Sequence, residues 1–572
     1  MSANPHNHYF MKRFFFSFLL FTCASVLCAV PADRQRLKVR LTDGTELYVM
    51  TCGDEHYSWL QADDGTLVEP DAVRPGFFVR SCQTKEEAAS EAISRRQAAR
   101  RIGSQATAPL PATGSPKVPV VLVNFQDSTF SVGNTPEEVN RYYDLYCNGT
   151  RDGVYYKGHK SYGSIRDYFE AQSDGQLKPE FVVIGPVQLD NPVAAYGKNS
   201  GSTHDSGYSR FQREVISKAT KLYEGKWSDF DNRGKGQVDM VFFIFAGCGE
   251  NTVQINPDLI WPKEVKNTVN VTTDDGETIR FATSGCCPEN RPLWNSDRTQ
   301  VASVAPDGIG VMCHELSHAL GLPDFYDTNY RAFGMDVWSL MDYGCYMQNG
   351  YTPVAYTAYE REFMGWRQME EIKAPGSYTL SPIASDEGVG MKVVNPENEN
   401  EYYVLEARLA SGWDSKLANY GRGLQVTHVD YNANAWNSNS VNVNTSHQRM
   451  TIIAANNNYN GTTTNENPRI AWKGNLYPFE QNDSLTATSV PAATVFSASG
   501  FMPHSLTNIR IDDATNQIHF DFDGADVDGI DHLITQPGVE PEELYDLSGR
   551  SVQSLKQKGL YITRGRKIIL GK

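Results

Sequence analysis

Two periodicities divide the chain. Between residues 118 and 320, continuous apolar runs alternate with segments of helical period. VPVVLVNFQD (118–127) and VDMVFFIFAG (238–247) are apolar at consecutive positions, as strands covered on both faces must be. SIRDYFEAQSDGQL (164–177) places apolar residues three and four apart and closes near Gly175, which predicts a helix. Residues 309–320 repeat that pattern, with Met312, Leu316, Ala319 and Leu320 available to a core, Gly321 as a stop and Pro323 beyond it. Buried strands alternating with helices predict an α/β sheet. On either side the period falls to two. Residues 36–82 alternate around two Asp-Gly turns, predicting a small antiparallel unit. From 373 to 523, GSYTLSPI, EYYVLEARL, GLQVTHVDY, RMTIIAAN and NQIHFDFDG are separated by Gly, Asn and Asp turns, predicting a β-sandwich.

The ends read differently. Met11-Lys12-Arg13 precedes FFFSFLLFTCASVLCAV, which closes on small residues near Cys28-Ala29 and predicts a cleaved secretory leader over 1–29, with Met11 as the alternative start. Ser, Thr and Cys interrupt the run too often for a membrane span, and no insertion is expected once it is removed. Past the antiparallel unit comes TKEEAASEAISRRQAARRIGSQ, then a Pro/Ala/Thr/Gly linker at 106–116. The basic pairs Arg95-Arg96 and Arg100-Arg101 beside that linker invite proteolysis, so 30–105 is expected to be a removable propeptide. The acidic, turn-rich GADVDGIDHLITQPGVEPEE opens a final region, 524–572.

Length and charge narrow the picture. The 572 residues suffice for several units, and a net charge of −16 disfavours binding to phosphate backbones, so no nucleic-acid partner is expected. Ten cysteines are too few for a disulfide scaffold of this length and show no zinc-knuckle pairing.

The chemistry concentrates at DGIGVMCHELSHALGLPDFYDTNYRAFGMDVWSLMDYG. On a helix His314 and His318, four apart, project from one face and can hold one ion. Glu315 is offset beside that ion, where a general base takes the proton of an attacking water. Catalytic zinc generally has three protein ligands. Gly321 permits a sharp exit that returns Asp324, completing H-E-x-x-H-x-x-G-x-x-D, with Asp327 and Asp336 as rival third ligands. Ser339 to Gly344 looks like a Met-turn, with Met341 beneath the cluster and the Tyr343 hydroxyl able to reach a developing oxyanion.

HELSHALGLPDFYD, MDVWSLMDYG and YTPVAYTAYEREFMGW (351–366) together resemble the immune inhibitor A type of secreted bacterial metallopeptidases. The likeness extends to DFDNRGKGQVDMVFFIFAGCGE, LIWP and GSIRDYFEAQSDGQL, and covers roughly 110–525. It implies an α/β (α+β) zincin-like catalytic domain over 106–372, an N-terminal β-rich propeptide, a C-terminal β-sandwich accessory domain over 373–523, zinc, and endopeptidase action on broad protein substrates. The tail, with YDLSGR and KGLYI…GRKIIL, resembles type IX secretion sorting domains, which implies the secretion machinery as partner and export through the periplasm to the medium or the cell surface. The expected protein is a secreted zinc endopeptidase made as a zymogen. Its rivals are a catalytically silent adhesin on the same fold and a zinc peptidase restricted to glycoproteins.

Lesser signals complete the set. Asp229, Asp231 and Asp239 resemble a calcium loop in which Arg233 stands where an acidic ligand is wanted and Lys235 adds another positive charge. Cys52, Asp54, His56 and Cys82 are the propeptide residues able to cap a zinc ion. The strand from Val238 to Ala246 is a candidate edge for binding substrate as an added strand.

Overall fold

The computed structural model describes residues 26–28, 30–54, 57–88, 90–91, 108–149, 155–156, 159–200, 204–253, 256–296, 299–459 and 472–524, and four short strands between 544 and 570. The expected leader as far as residue 25, His56 and the basic pairs at 95–101 lie outside the described residues.

A seven-stranded sheet organises the central region. Glu180–Gln188, Lys117–Asn124, Val241–Cys248 and Ser284–Trp294 run parallel in that order, and Lys263–Lys266 joins Ser284–Trp294 antiparallel. Consecutive apolar residues serve opposite faces: Val120, Leu122, Phe242 and Ile244 enter one core, and Val121, Val123, Phe243 and Phe245 the other. Helices Pro136–Asn148, Ile165–Gln172 and Gly310–Leu320 cover the first face, and Tyr208–Leu222 the second. Ser164 caps the second of these helices in a reciprocal pair with Asp167.

The expected substrate edge is corrected here. Val241–Cys248 lies between Lys117–Asn124 and Ser284–Trp294, so its backbone is already paired on both sides. Lys263–Lys266 lies beyond Ser284–Trp294, and Val26–Cys28 ends the sheet by pairing with it antiparallel, Cys28 opposite Glu264.

Residues 37–80 form a five-stranded antiparallel sheet around Leu37, Val39, Val49, Leu60 and Phe78. Its Cys52 and Trp59 pack on Tyr326 and Tyr330 of the metal-motif region. Beyond residue 370 a five-stranded and a three-stranded sheet share a core that includes Leu405, Val426, Ile518 and Phe520. The other face of the larger sheet, with Val404, Val429 and Met450, packs in the same core as Met335 and Trp338. The apolar interior therefore runs unbroken from the motif region into the β-rich one. Backbone strands at Leu544–Asp546, Ser551–Val552, Gly559–Thr563 and Arg566–Leu570 pair into a sheet within the tail. Among the described residues no helix is long and apolar enough to cross a membrane.

Candidate metal centre

All eleven residues of the helix Gly310–Leu320 are buried, polar ones included. A side chain at Gly310 would collide with the Cys345 carbonyl oxygen, so the helix can approach the segment after the Met-turn only with glycine at its start. At its other end Gly321 has φ 110°, the left-handed conformation that stops the helix and turns the chain back.

That exit brings Asp324 to both histidines. His314 Nε2 and His318 Nε2 lie 3.1 Å apart, and Asp324 Oδ1 is 3.2 Å and 3.3 Å from them. The Nδ1 atoms face carbonyl oxygens, of Leu340 for His314 and Leu322 for His318, each at 2.8 Å. A carbonyl can only accept, so each Nδ1 carries the hydrogen and each Nε2 turns its lone pair inward. Asp324 Oδ1 receives no hydrogen bond. Unless His318 takes up a proton, three lone pairs thus converge in a buried space, an arrangement that a cation satisfies. Two imidazole nitrogens and a carboxylate oxygen are a donor set suited to zinc.

The electrostatics show the same demand for positive charge. Burial lowers the pKa of His314. For His318 burial acts in the same direction, but Asp324 outweighs it and lifts the imidazole to about 9. Burial also opposes the charge on Asp324, yet the two histidines hold its carboxyl well below the usual carboxylate range.

Asn439 clamps the carboxylate: its Nδ2 donates to Asp324 Oδ2 and its Oδ1 accepts the Asp324 N–H, each at 2.6 Å. This residue belongs to the β-rich region, 115 positions from Asp324, and no local motif marks it. The rival carboxylates are engaged elsewhere. Asp327 accepts the N–H groups of Asn329, Arg331 and Ala332, and Asp336 accepts those of Val337 and the Trp472 indole. Met341 is fully buried, and its neighbour Leu340 supplies the carbonyl that orients His314.

The cleft beside this cluster is filled by the chain itself. Val30 N–H donates to Glu315 Oε1 at 2.9 Å, and the Trp261 indole donates to Val30 O at 3.1 Å. Tyr346 donates to Pro31 O at 2.6 Å, Ala32 N–H to the Tyr330 hydroxyl at 3.0 Å, and Asp33 N–H to Asn251 O at 2.9 Å. The Asp33 carboxylate accepts from the Tyr343 hydroxyl at 2.9 Å and lies 3.6 Å from Arg291. Burial, then Asp33, pushes the Tyr343 phenol upward, so it stays a donor. A cavity of about 880 Å³ continues past this segment between Arg34, Arg291, Tyr343, Tyr346 and Trp472. The zinc-capping candidates Cys52 and Asp54 lie downstream of the filling segment; Cys52 is in an apolar cluster with Trp59 and Tyr330.

The calcium-like loop closes on itself. Asp231 accepts the Lys235 and Gly236 N–H groups, and Asp239 that of Arg233, whose guanidinium donates to Leu110 O.

Residues 108–370 match the family described as immune inhibitor A peptidase M6, catalytic domain. Immune inhibitor A of Bacillus thuringiensis subsp. alesti is 26% identical over 240 residues, 36% of this chain and 34% of that protein. The pre-pro-metalloprotease PrtV of Vibrio cholerae serotype O1 is 25% identical over 280 residues, 43% of this chain and 29% of that protein. The chain thus spans about a third of the length of the curated relatives it matches.

Proposed function

We propose that this chain, whose residues 108–370 form a metallopeptidase domain of the peptidase M6 type, is a secreted zinc endopeptidase made as a zymogen. The observation that carries the reading is the convergence of three buried lone pairs from His314, His318 and Asp324, with Glu315 on the same helix. Zinc held by these three residues supplies Lewis acidity that activates water near neutral pH and polarises a carbonyl. Glu315 takes the proton of the attacking water and delivers it to the leaving amine, and its contact with the Val30 N–H occupies the place such an amine would take. Tyr343, a hydroxyl donor to an anionic oxygen in the filled cleft, donates to the substrate oxyanion once the cleft is open. Asn439 fixes the third ligand, as metal-ligating carboxylates require.

Latency rests on Val30–Asp33, which hold Glu315 and Tyr343 while the five-stranded unit grips Tyr326 and Tyr330. The chain is accordingly divided into a leader over 1–29, a propeptide over 30–105, a catalytic region over 106–372, a β-sandwich accessory region over 373–523 and an export tail over 524–572 that engages the secretion machinery. Protein or peptide substrates meet the enzyme outside the cell.

The test is zinc content with casein hydrolysis. The processed protein is expected to hold about one zinc ion per chain and to lose and regain hydrolysis with chelator and zinc. A zinc-loaded, processed protein that cuts no protein or peptide overturns the reading.

A further inference from the structure

The strand Lys263–Lys266, outermost in the sheet apart from Val26–Cys28, carries a charge that the proposed chemistry does not use. Its side chains alternate. Lys263 pairs with the buried Asp205, and Val265 enters the core under the helix Tyr208–Leu222. Glu264 therefore faces the other way, toward the helix that bears His314, Glu315 and His318. Glu264 is fully buried, and neither carboxylate oxygen has a hydrogen-bond partner. The charges that act on it are Lys266, two residues along the strand, and His318. Burial raises its pKa, as expected of a carboxylate without donors.

Register locates this carboxylate in the cleft. Cys28 lies opposite Glu264 in the antiparallel pair, and two residues later the Val30 N–H meets Glu315. Residues paired across antiparallel strands present their side chains to the same face. A peptide taking this path, with the residue after the cut bond at the Val30 position, therefore sets the side chain two residues before the cut beside Glu264.

We propose that Glu264 is a specificity-determining residue that selects Lys or Arg two residues before the bond that is cut. The inference rests on the peptidase reading above. A buried carboxylate without donors is costly, and an apolar substrate side chain leaves it so. An ammonium or guanidinium supplies both the charge and the hydrogen bonds, Arg in bidentate form. Sites built to pair a substrate group discriminate strongly against analogues that lack it. The basic pairs Arg95-Arg96 and Arg100-Arg101 meet this requirement, so one molecule can release another from its propeptide. Each such cut consumes one water and leaves a carboxylate and an amine.

The experiment uses the full chain, secreted and matured by limited trypsin digestion. Two peptides are compared that differ only in Arg or Gln two residues before the cut. The expected kcat/KM ratio is ~10-fold or more in favour of Arg, since 1.4 kcal/mol of differential binding gives a factor of ten. Glu264→Gln brings the ratio near unity, and Glu264→Lys turns the preference toward a peptide with Glu at that place, which also shows that the variants fold. Anisotropy titration of labelled peptides onto the Glu315→Gln protein reads the same ratio without turnover. An absent Arg preference, or one that persists in Glu264→Gln, overturns the proposal. A matured, zinc-loaded wild type that cuts neither peptide while binding the Arg form more tightly overturns the peptidase reading and leaves the subsite standing.

Discussion

The helix Gly310–Leu320 and the segment Val30–Asp33 meet at Glu315, yet they handle buried polarity in opposite ways. The helix brings the two Nε2 atoms together with the Asp324 oxygen, so that only a proton or a cation can satisfy them. The segment is matched almost atom for atom, and from Val30 to Ala32 each of these bonds uses its main chain. Unpaired acceptors define a place that needs a cation. Matched backbone bonds define a place that any extended peptide can occupy, because every residue except proline offers the same N–H and C=O. The helix side thus asks for positive charge, and the backbone bonds along Val30–Ala32 ask nothing of side-chain identity.

The sharpest way to break this contrast is at the residue both sides share. Glu315→Gln keeps the side-chain shape and a carbonyl oxygen for the Val30 N–H but removes the base. General acid–base groups contribute ~10²–10⁴-fold, so hydrolysis by the matured variant is expected to fall by about 10³-fold with zinc content unchanged. Steady-state cleavage with metal analysis checks this. Unchanged turnover would mean that the helix supplies no base.

The next effect tests whether the centre is built for an ion rather than merely buried. Asn439→Ala removes both 2.6 Å bonds to Asp324 and leaves the three ligands in place. Loss of such supporting contacts typically costs ~10–100-fold in metal affinity, measurable by chelator competition. The proposed peptide path should be untouched, so KM should move less than zinc affinity.

Local pattern made the helix legible and left the rest dark. His314, Glu315, His318 and Gly321 lie within a single helical repeat and its stop, and spacing alone places them. Asp324, rather than Asp327 or Asp336, lies against the two histidines and is held there by Asn439, which no window of sequence brings near. The apolar run from Val238 to Ala246 reads as a substrate edge because hydrophobicity marks strands, but it also marks the strands paired on both sides. Lys-Glu-Val-Lys, the last strand before Val26–Cys28, is short and charged, as strands near an edge often are. Val-Pro-Ala-Asp at 30–33 carried no signal, because it acts chiefly through atoms common to all residues. The β-rich region was legible in its period of two, but its contribution of Asn439 to the metal centre was not.

The segment's side of the comparison has a pH signature. Arg291 lies between Asp33 and Asp307, 3.6 Å and 3.8 Å away. Burial pushes Asp307 up to about 6; Arg291 opposes this and Asp33 adds to it. The folded pKa lies above the unfolded one, so the native state holds this proton more tightly. The stability this gives is fully present below the unfolded value near 4 and is lost as pH rises through about 6. Asp307→Asn cannot ionise. It is therefore expected to match the wild type near pH 4 and to exceed it by about 2–3 kcal/mol at pH 8, read from urea midpoints. A gap that opens toward acid instead would show that Arg291 favours the charged carboxylate and is not held for Asp33.

Asp33 is where the segment departs from its own rule, since its grip adds a carboxylate to the backbone bonds. Asp33→Asn keeps an acceptor for Tyr343 and loses the charge facing Arg291. At 3.6 Å the two charges form an ion pair rather than a hydrogen bond, worth about 1 kcal/mol. The unprocessed protein should therefore leak about 5-fold more hydrolysis than the wild-type zymogen, while the two matured enzymes, freed of residues 30–105, should be indistinguishable. A burst-free progress curve on a fluorogenic peptide, recorded before any propeptide is released, measures the leak. If the variant zymogen stays as silent as the wild type, the Asp33 charge is not needed for latency, and the backbone bonds with the acceptor for Tyr343 keep the cleft shut.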